Sequence, residues 1–416
     1  MSDGTGATEP NDRLRGASTA LVADAIRTGD PLPGTRGFAG LFVDPPDGTG
    51  PALVRDVLGR QPLFIERDVD RPVRSGAWGF DPTGLDDPVA VPAGSVVSDH
   101  GTDPGGDPDA GPEARRIWSL PTPAPVAPAP AQTAVDDAVD GALADLDSVR
   151  GSKRNSDAGP DAAPDERLAV AFSGGVDSGL VAGAVPDAPC YVAGFDGCHD
   201  VAAARAAADA MDLDLRVVGI THDDLRRVIP ELAAATGRRN PMDLNIAVPL
   251  YLTAEAAAAD GFDRLAVGQG ADELFGGYSK VVEPAADGRV DADTVRGART
   301  ETVRTLPDQL ERDVLALRAA GVEPIAPLLD DRVVDAALRL PGDLLATRDE
   351  RKVALRRAAA ERLPESVWSA DKKAVQYGTY VAREIDRLAR QNGFKRRMDD
   401  HVGQYIDSLL EEHDGT

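Results

Sequence analysis

The chain is poor in cysteine: only Cys190 and Cys198 occur in 416 residues. They lack CxxC spacing and have no clustered histidines beside them, which excludes a disulfide framework and a structural zinc site. The five histidines (His100, His199, His222, His401 and His413) are scattered and form no catalytic pattern. Aromatics make up 4% of the residues, and only six of the 45 basic residues are lysines: Lys153, Lys280, Lys352, Lys372, Lys373 and Lys395. No apolar run approaches the roughly 18 residues that a membrane-spanning helix needs. The opening MSDGTGATEPND carries neither a basic n-region nor an apolar h-region, so a cytoplasmic protein is expected.

What is abundant is acid. Asp and Glu number 70 against 45 Lys and Arg, a formal net charge of −25. Such a surface repels nucleic-acid phosphates and anionic membranes, and neither is expected as a partner. Scarce lysine and few aromatics, with much Ala, Asp and Gly, match a protein from a high-salt cytoplasm, a haloarchaeal one by expectation. At ~1 M salt the Debye length is about 3 Å, which suppresses self-repulsion. Hydrophobic residues still reach 42%, enough for substantial cores.

The pattern changes twice along the chain. Short β-like runs at Phe38–Val43, Leu53–Val57, Leu63–Glu66 and Val89–Val97 are punctuated by Pro and Gly, as in a small all-β or α+β module over 1–98. Residues 99–165 include GTDPGGDPDAGPEA and PTPAPVAPAP and read as a Pro/Gly-rich linker, with one short amphipathic helix within Thr133–Val149. From 166 to 416 strands and helices alternate. Strands are expected at Leu168–Phe172, Tyr191–Phe195, Leu215–Ile220 and Leu265–Val267. Helices are expected from near Ser178 and at His199–Met211, Asp223–Ala235 and Ile246–Ala259, with a largely helical end beyond Glu301. This alternation implies an α/β fold with a doubly wound parallel sheet.

One turn carries chemistry. In LAVAFSGGVDSGL, Ser173-Gly174-Gly175-Val176-Asp177-Ser178 joins a strand to a helix. Glycines let backbone N–H groups converge, and the helix N-terminus adds positive potential, so the turn suits an anion. Ser173 and Ser178 add hydroxyls, and Asp177 can hold Mg²⁺ against phosphate oxygens. The GxxxxGK[ST] lysine is missing, so this is no Walker A loop.

The hexapeptide resembles the SGGxDS pyrophosphate loop of the N-type ATP pyrophosphatases. Val267 to Tyr278 (VGQGADELFGGY) resembles the GxGADELFGGY signature of the asparagine synthetase family, and Gly321 to Asp330 (GVEPIAPLLD) its GVExRxPFLD segment. Lys352 to Arg356 (KVALR) resembles KxxLR, and Asp371-Lys372-Lys373 resembles RxK. Five ordered matches span roughly residues 166–380.

The resemblance implies an adenine nucleotide alpha hydrolase-like fold and an ATP-dependent, AMP-forming amide ligase that makes asparagine from aspartate through β-aspartyl-AMP. It implies that Ser173, Gly174, Gly175, Asp177 and Ser178 bind pyrophosphate, and that Asp177 and Asp272 coordinate Mg²⁺. Phe172, Ala193 and Gly268 would contact the adenosine of ATP, Lys352 and Lys372 the phosphates, and Glu323 would handle a proton in amidation. Plainer readings stand beside these roles: Asp272 and Glu273 as helix-capping acids, Glu323 as a loop acid, Lys352 as a solvated helix lysine.

The family's N-terminal-nucleophile glutaminase is matched only in part. Gly37–Asp44 and Leu53–Phe64 look like its later strands, including an RDxxGxxPL element, whereas Ser2 stands where the nucleophilic cysteine is expected. Ammonia, free or from a separate glutaminase, is therefore the expected nitrogen donor. Gln269 replaces an acid, and Ile325 and Leu328 replace the usual Arg and Phe. These departures keep open a ligase or cyclase for another carboxylate, as in the β-lactam synthetase branch, and a nucleotide-binding pseudoenzyme.

Overall fold

The computed structural model describes residues 13–43, 50–99, 114–149, 167–370 and 377–414. The chain divides into two compact units, one of Met1–Thr122 with Leu306–Glu311, the other of Pro123–Thr305 with Arg312–Thr416.

The first unit is built on antiparallel strands. Strands β1 (Leu14–Arg15), β2 (Ala39–Phe42), β3 (Ala52–Arg55), β7 (Ser95–Ser98) and β8 (Arg115–Arg116) form one sheet in the order β1-β2-β3-β7-β8. A smaller sheet orders β5 (Trp78–Gly79), β4 (Phe64–Glu66) and β6 (Pro88–Ala90) as β5-β4-β6. Helices α1 (Thr19–Thr28) and α2 (Pro72–Ser75) complete it. The run expected at Val89–Val97 is two strands, because Gly94 at φ +73 turns the chain between them. Ala39, Leu41, Leu53, Leu63, Val91 and Val97 form the core. Asp56 accepts from the Arg60 Nε at 2.8 Å inside this unit, a buried pair shaping the Arg55–Gln61 turn.

The second unit holds a parallel sheet of β9 (Leu168–Ala171), β10 (Cys190–Gly194), β11 (Leu215–Gly219), β12 (Arg264–Ala266) and β13 (Glu323–Ile325), ordered β11-β10-β9-β12-β13. The chain starts at β9, winds outward through β10 and β11, then crosses back to β12 and β13. The direction of winding thus reverses between β9 and β12, and the crevice beyond their carboxyl ends is where such folds bind ligands. The fold is doubly wound α/β, with a mainly helical C-terminal part.

Helices alternate with the strands: α4 (Val176–Ala184), α5 (His199–Met211), α6 (His222–Thr236) and α7 (Pro241–Ala259). Helix α6 begins with a capping box in which Thr221 and Asp224 bond each other's backbone. Helix α7 starts earlier than the expected Ile246, because Asn240 caps the Asp243 amide and Pro241 occupies the first turn. Then follow α8 (Ala271–Phe275), α9 (Val295–Val303), α10 (Leu306–Ala319), α11 (Asp331–Leu338), α12 (Gly342–Leu345), α13 (Val353–Ala360), α14 (Glu365–Trp368), α15 (Tyr377–Gln391) and α16 (His401–Asp414). Val381, Ile385, Leu388 and Ala389 of α15, with Tyr405, Ile406, Leu409 and Leu410 of α16, join the core around β10 and α7.

The linker expected over 99–165 contains a long helix, α3 (Pro128–Val149), which belongs to the second unit. Its prolines sit in the first turn, where a helix needs no N–H, so PAPAQT starts the helix instead of breaking it. Buried Val135, Val139, Ala142 and Leu146 recur at helical spacing along one face. No described helix is long and apolar enough to cross a membrane.

Candidate active site

Two loops meet at the carboxyl ends of β9 and β12. The first runs from Phe172 into α4. Gly174 is held at φ +78, and a Cβ there would lie 2.8 Å from the Ala204 Cα, so only glycine fits. Gly175 caps α4 in extended conformation without any side-chain bond. The Ser173 amide donates to the Ser178 Oγ at 3.1 Å, and that hydroxyl reaches the Gly175 carbonyl at 3.3 Å. Together these bonds fold the loop over the start of α4, with Asp177 in its first turn.

The second loop follows β12. A Cβ on Gly268 would lie 3.0 Å from the backbone and Cβ of Asp177, so this loop rests directly on the first turn of α4. Gly270, at φ +85, starts α8, where a Cβ would collide with Leu329. The motif's second acid, Glu273, is buried and accepts from the Tyr278 hydroxyl at 2.5 Å. Burial pushes its carboxyl up, and the neighbouring charge of Asp272 adds to this. Tyr278 is raised in turn, by burial first and then by Glu273. This pair anchors the loop.

Lys352 closes the site. Its Nζ donates to Asp177 Oδ2 at 2.5 Å and lies 2.6 Å from Asp272 Oδ1. The lysine side chain is only 5% exposed, and the carboxylates are 20% and 18% exposed. Burial alone would lower its pKa, but the two carboxylates outweigh it and hold the ammonium above its ordinary value. The plainer reading of a solvated helix lysine is therefore corrected: Lys352 is a buried N-cap residue at φ 57, a left-handed conformation uncommon for lysine. Gly277 makes the trio possible, since a Cβ there would sit 1.9 Å from Asp272 Oδ1 and 2.4 Å from the Lys352 Cε.

Asp177 Oδ1 is buried without a hydrogen-bond partner. Two carboxylates converging on one cation, with a spare oxygen, fit a hard divalent ion, which takes oxygen ligands and commonly completes its shell with phosphate and water. Among the described residues there is no group of three or more acids, histidines or cysteines that could hold a metal by itself.

The other expected site residues are placed differently. Glu323 lies at the start of β13, in register with Arg264 and, across β12, with Leu168. Leu168 precedes Ser173 by five residues, about 16 Å along the strand at roughly 3.3 Å per residue, so Glu323 sits at the opposite end of the sheet. Exposed there, its carboxylate accepts from Arg318 at 2.6 and 2.8 Å. A parallel strand directs its last residues, not its first, toward the crevice, and Glu323 is not among the residues gathered there. Ala193 is enclosed in the core, and its amide donates to the Thr253 hydroxyl at 3.2 Å. Phe172 is buried, its amide bonded to the Tyr191 carbonyl at 2.8 Å. Lys372 lies outside the described residues.

Two features escape the motif reading. Arg356, the last residue of KVALR, binds the carbonyls of Trp368 and Ala370 at 2.9 and 2.8 Å, anchoring the chain just before Asp371. Beneath the second loop, Gln269 donates to Asp313, which accepts from Arg312 at 2.7 Å, and Arg312 reaches Asp243 at 2.9 Å. Burial opposes ionisation of Asp243, but bonds from Asn240, Arg312 and Arg238 hold it below the usual carboxylate range. Burial pushes Asp313 the other way, up, despite Arg312.

Comparison with known proteins matches this arrangement to a family. The family model described as asparagine synthase covers residues 162–294 and 286–415, more than half of the chain. A protein named "Putative asparagine synthetase (glutamine-hydrolyzing) 1", from Methanocaldococcus jannaschii, is 27% identical over 279 residues, 59% of this chain and 51% of that protein. Asparagine synthetase B (glutamine-hydrolyzing) of Escherichia coli is 25% identical over 222 residues, 48% of this chain and 39% of that one. The chain therefore spans about half the length of these relatives, or less. Among solved structures, an NH3-dependent NAD synthetase from Campylobacter jejuni aligns with 68% of this chain and 94% of its own at 9% identity. Its TM-score of 0.28 is too low to support a structural argument. With both signature loops meeting at one crevice and the family model matching residues 162–415, the chain belongs to the asparagine synthase family.

Proposed function

We propose that the second unit is an ATP-dependent amide ligase that adenylates aspartate and transfers the acyl group to ammonia. The observation that carries this reading is the meeting of Asp177, Asp272 and Lys352 beside the Ser173–Ser178 loop. A carboxylate is a poor acyl donor because its leaving group would be oxide. In the first step a carboxylate oxygen of aspartate attacks the α-phosphorus of ATP, and the bond to pyrophosphate breaks. Ammonia then attacks the acyl carbon, AMP leaves, and the nitrogen sheds a proton to give the amide.

Charge builds on the departing pyrophosphate in the first step. The amides of the Ser173–Ser178 loop, the N-terminus of α4 and the Lys352 ammonium suit it. Asp177 and Asp272 would hold Mg²⁺, which when bound neutralises phosphate charge. Enclosure of Lys352 raises the worth of each contact, because a low-dielectric site screens it little.

A second reading, adenylation of another carboxylate, draws on Ile325 and Leu328. Both are buried apolar residues where the family segment carries Arg and Phe. A panel of carboxylates offered with ATP and Mg²⁺ separates the two. The proposal expects pyrophosphate release that depends on aspartate and is not outcompeted by other acids. Release with another acid and none with aspartate favours the second reading, and release with no acid overturns both.

A further inference from the structure

We infer that Lys352 is a built-in placeholder for the divalent cation, so that the nucleotide-free site refuses metal until a triphosphate draws the lysine away. The inference rests on the reading of this crevice as a nucleotide site. It concerns the order of events there.

Lys352 Nζ occupies the point on which both carboxylates converge, 2.5 Å from one and 2.6 Å from the other. A Mg²⁺ ion bound by the same oxygens would sit about 2.0–2.1 Å from them. Two cations cannot share that point. Gly277 backs onto both Asp272 and the Lys352 Cε, closely enough that a single methyl group would overlap them, so the lysine is hemmed in on that side. The αL backbone of Lys352 and its position at the start of α13 aim the side chain at this spot.

With the lysine seated, the three groups carry a net charge of −1, a weak lure for a dication. Asp177 Oδ1 is left as a buried acceptor with nothing to accept from. An arriving polyphosphate changes the balance. It offers Lys352 another anion next to the Ser173–Ser178 loop and frees both carboxylates. By linkage, metal and polyphosphate then favour each other's binding by the same factor. Asp177 in the first turn of α4 and Asp272 in the first turn of α8 stay in place, and Lys352 is the part that moves.

The test measures Mn²⁺ binding by loss of the free-ion EPR signal in high salt, on the intact chain, with and without α,β-methylene-ATP. Nucleotide-free protein should bind Mn²⁺ at least tenfold more weakly than the Lys352→Met variant, and Asp177→Asn in that background should abolish the gain. The analogue should restore tight binding to the unsubstituted chain, read as signal loss beyond that which the analogue, itself a Mn²⁺ chelator, causes without protein. Equal nucleotide-free affinity in the two proteins, or a gain that survives Asp177→Asn, overturns the inference. If Lys352→Met does not fold, Lys352→Gln takes its place. The unsubstituted chain is also decisive by itself, since nucleotide-free Mn²⁺ binding that Asp177→Asn removes contradicts the placeholder. An analogue that does not bind contradicts the nucleotide-site reading instead, and the metal-only comparison then judges Lys352 separately.

Discussion

Gln269 donates its side-chain amide to Asp313 at 2.6 Å, tying the loop after β12 to the buried helix α10. Asp313 is raised by burial and lies in a chain of contacts running through Arg312 to Asp243. The neutral amide at 269 is therefore the partner that lets a carboxylate stay enclosed at 313. An acid at 269 would face that carboxylate directly.

Gln269→Glu should accordingly destabilise the second unit by about 1–3 kcal/mol, the range for a lost buried bond and an uncompensated charge. The loss should grow as pH rises through the carboxylate range, because both acids are then ionised. Adding Asp313→Asn should recover most of it. Denaturant titrations of both single variants and the double variant measure the coupling, and a double variant no better than Gln269→Glu contradicts the pairing.

Gly277→Ala should reduce pyrophosphate release on the order of 10²-fold, since catalytic geometry is that sensitive to displacements near 1 Å. The added methyl falls on Asp272 and Lys352. Steady-state rates of the folded variant, compared with Gly197→Ala on the open surface, decide the matter. Equal losses at both positions would count against the site.

Glu323→Gln should leave the rate within about threefold, because its exposed pair with Arg318 is of the kind worth ~0–1 kcal/mol. A loss of several orders of magnitude in amide formation would return Glu323 to the chemistry and refute the placement of β13.

How much of this was legible in the sequence depends on the range of the interactions. The Ser173–Ser178 loop and its flanking elements could be read because the glycine pattern, the strand and the helix are contiguous. The α/β alternation was legible for the same reason. Lys352 could be singled out by the rarity of lysine, but not its place between two acids, one of them 175 positions away. The position of Glu323 at the start of β13 could not be read, because a motif shows which residues are adjacent, while strand direction decides which of them reach the crevice. The Gln269–Asp313 contact left no local trace: 44 residues separate the partners, and Asp313 sits within an ordinary charged helix. Helix α3 was underestimated because prolines read as breakers unless they fall in a first turn.

At the C-terminal hairpin, Asp386 accepts from Arg396 at 2.7 Å and from His401 at 2.8 Å. The Arg396 bond leads the effects that hold its carboxyl well below the ordinary value, and burial opposes them. A depressed folded pKa contributes stability that is present above the unfolded value and lost as pH falls through the folded one. The unsubstituted chain should therefore exceed Asp386→Asn in stability near neutral pH by on the order of 1 kcal/mol. The gap should begin to narrow below about pH 4, where unfolded aspartate takes up its proton, and close as pH falls through the depressed folded value. Thermal melts across pH at fixed salt test this, and a gap that persists into acid contradicts it.

The most direct measurement is a product assay in high salt with ATP, Mg²⁺ and aspartate, supplying either ammonium chloride or glutamine. The account predicts asparagine, AMP and pyrophosphate in equal amounts with ammonium. Aspartate-independent hydrolysis, ADP in place of AMP, or no nucleotide turnover with ammonium present would contradict it.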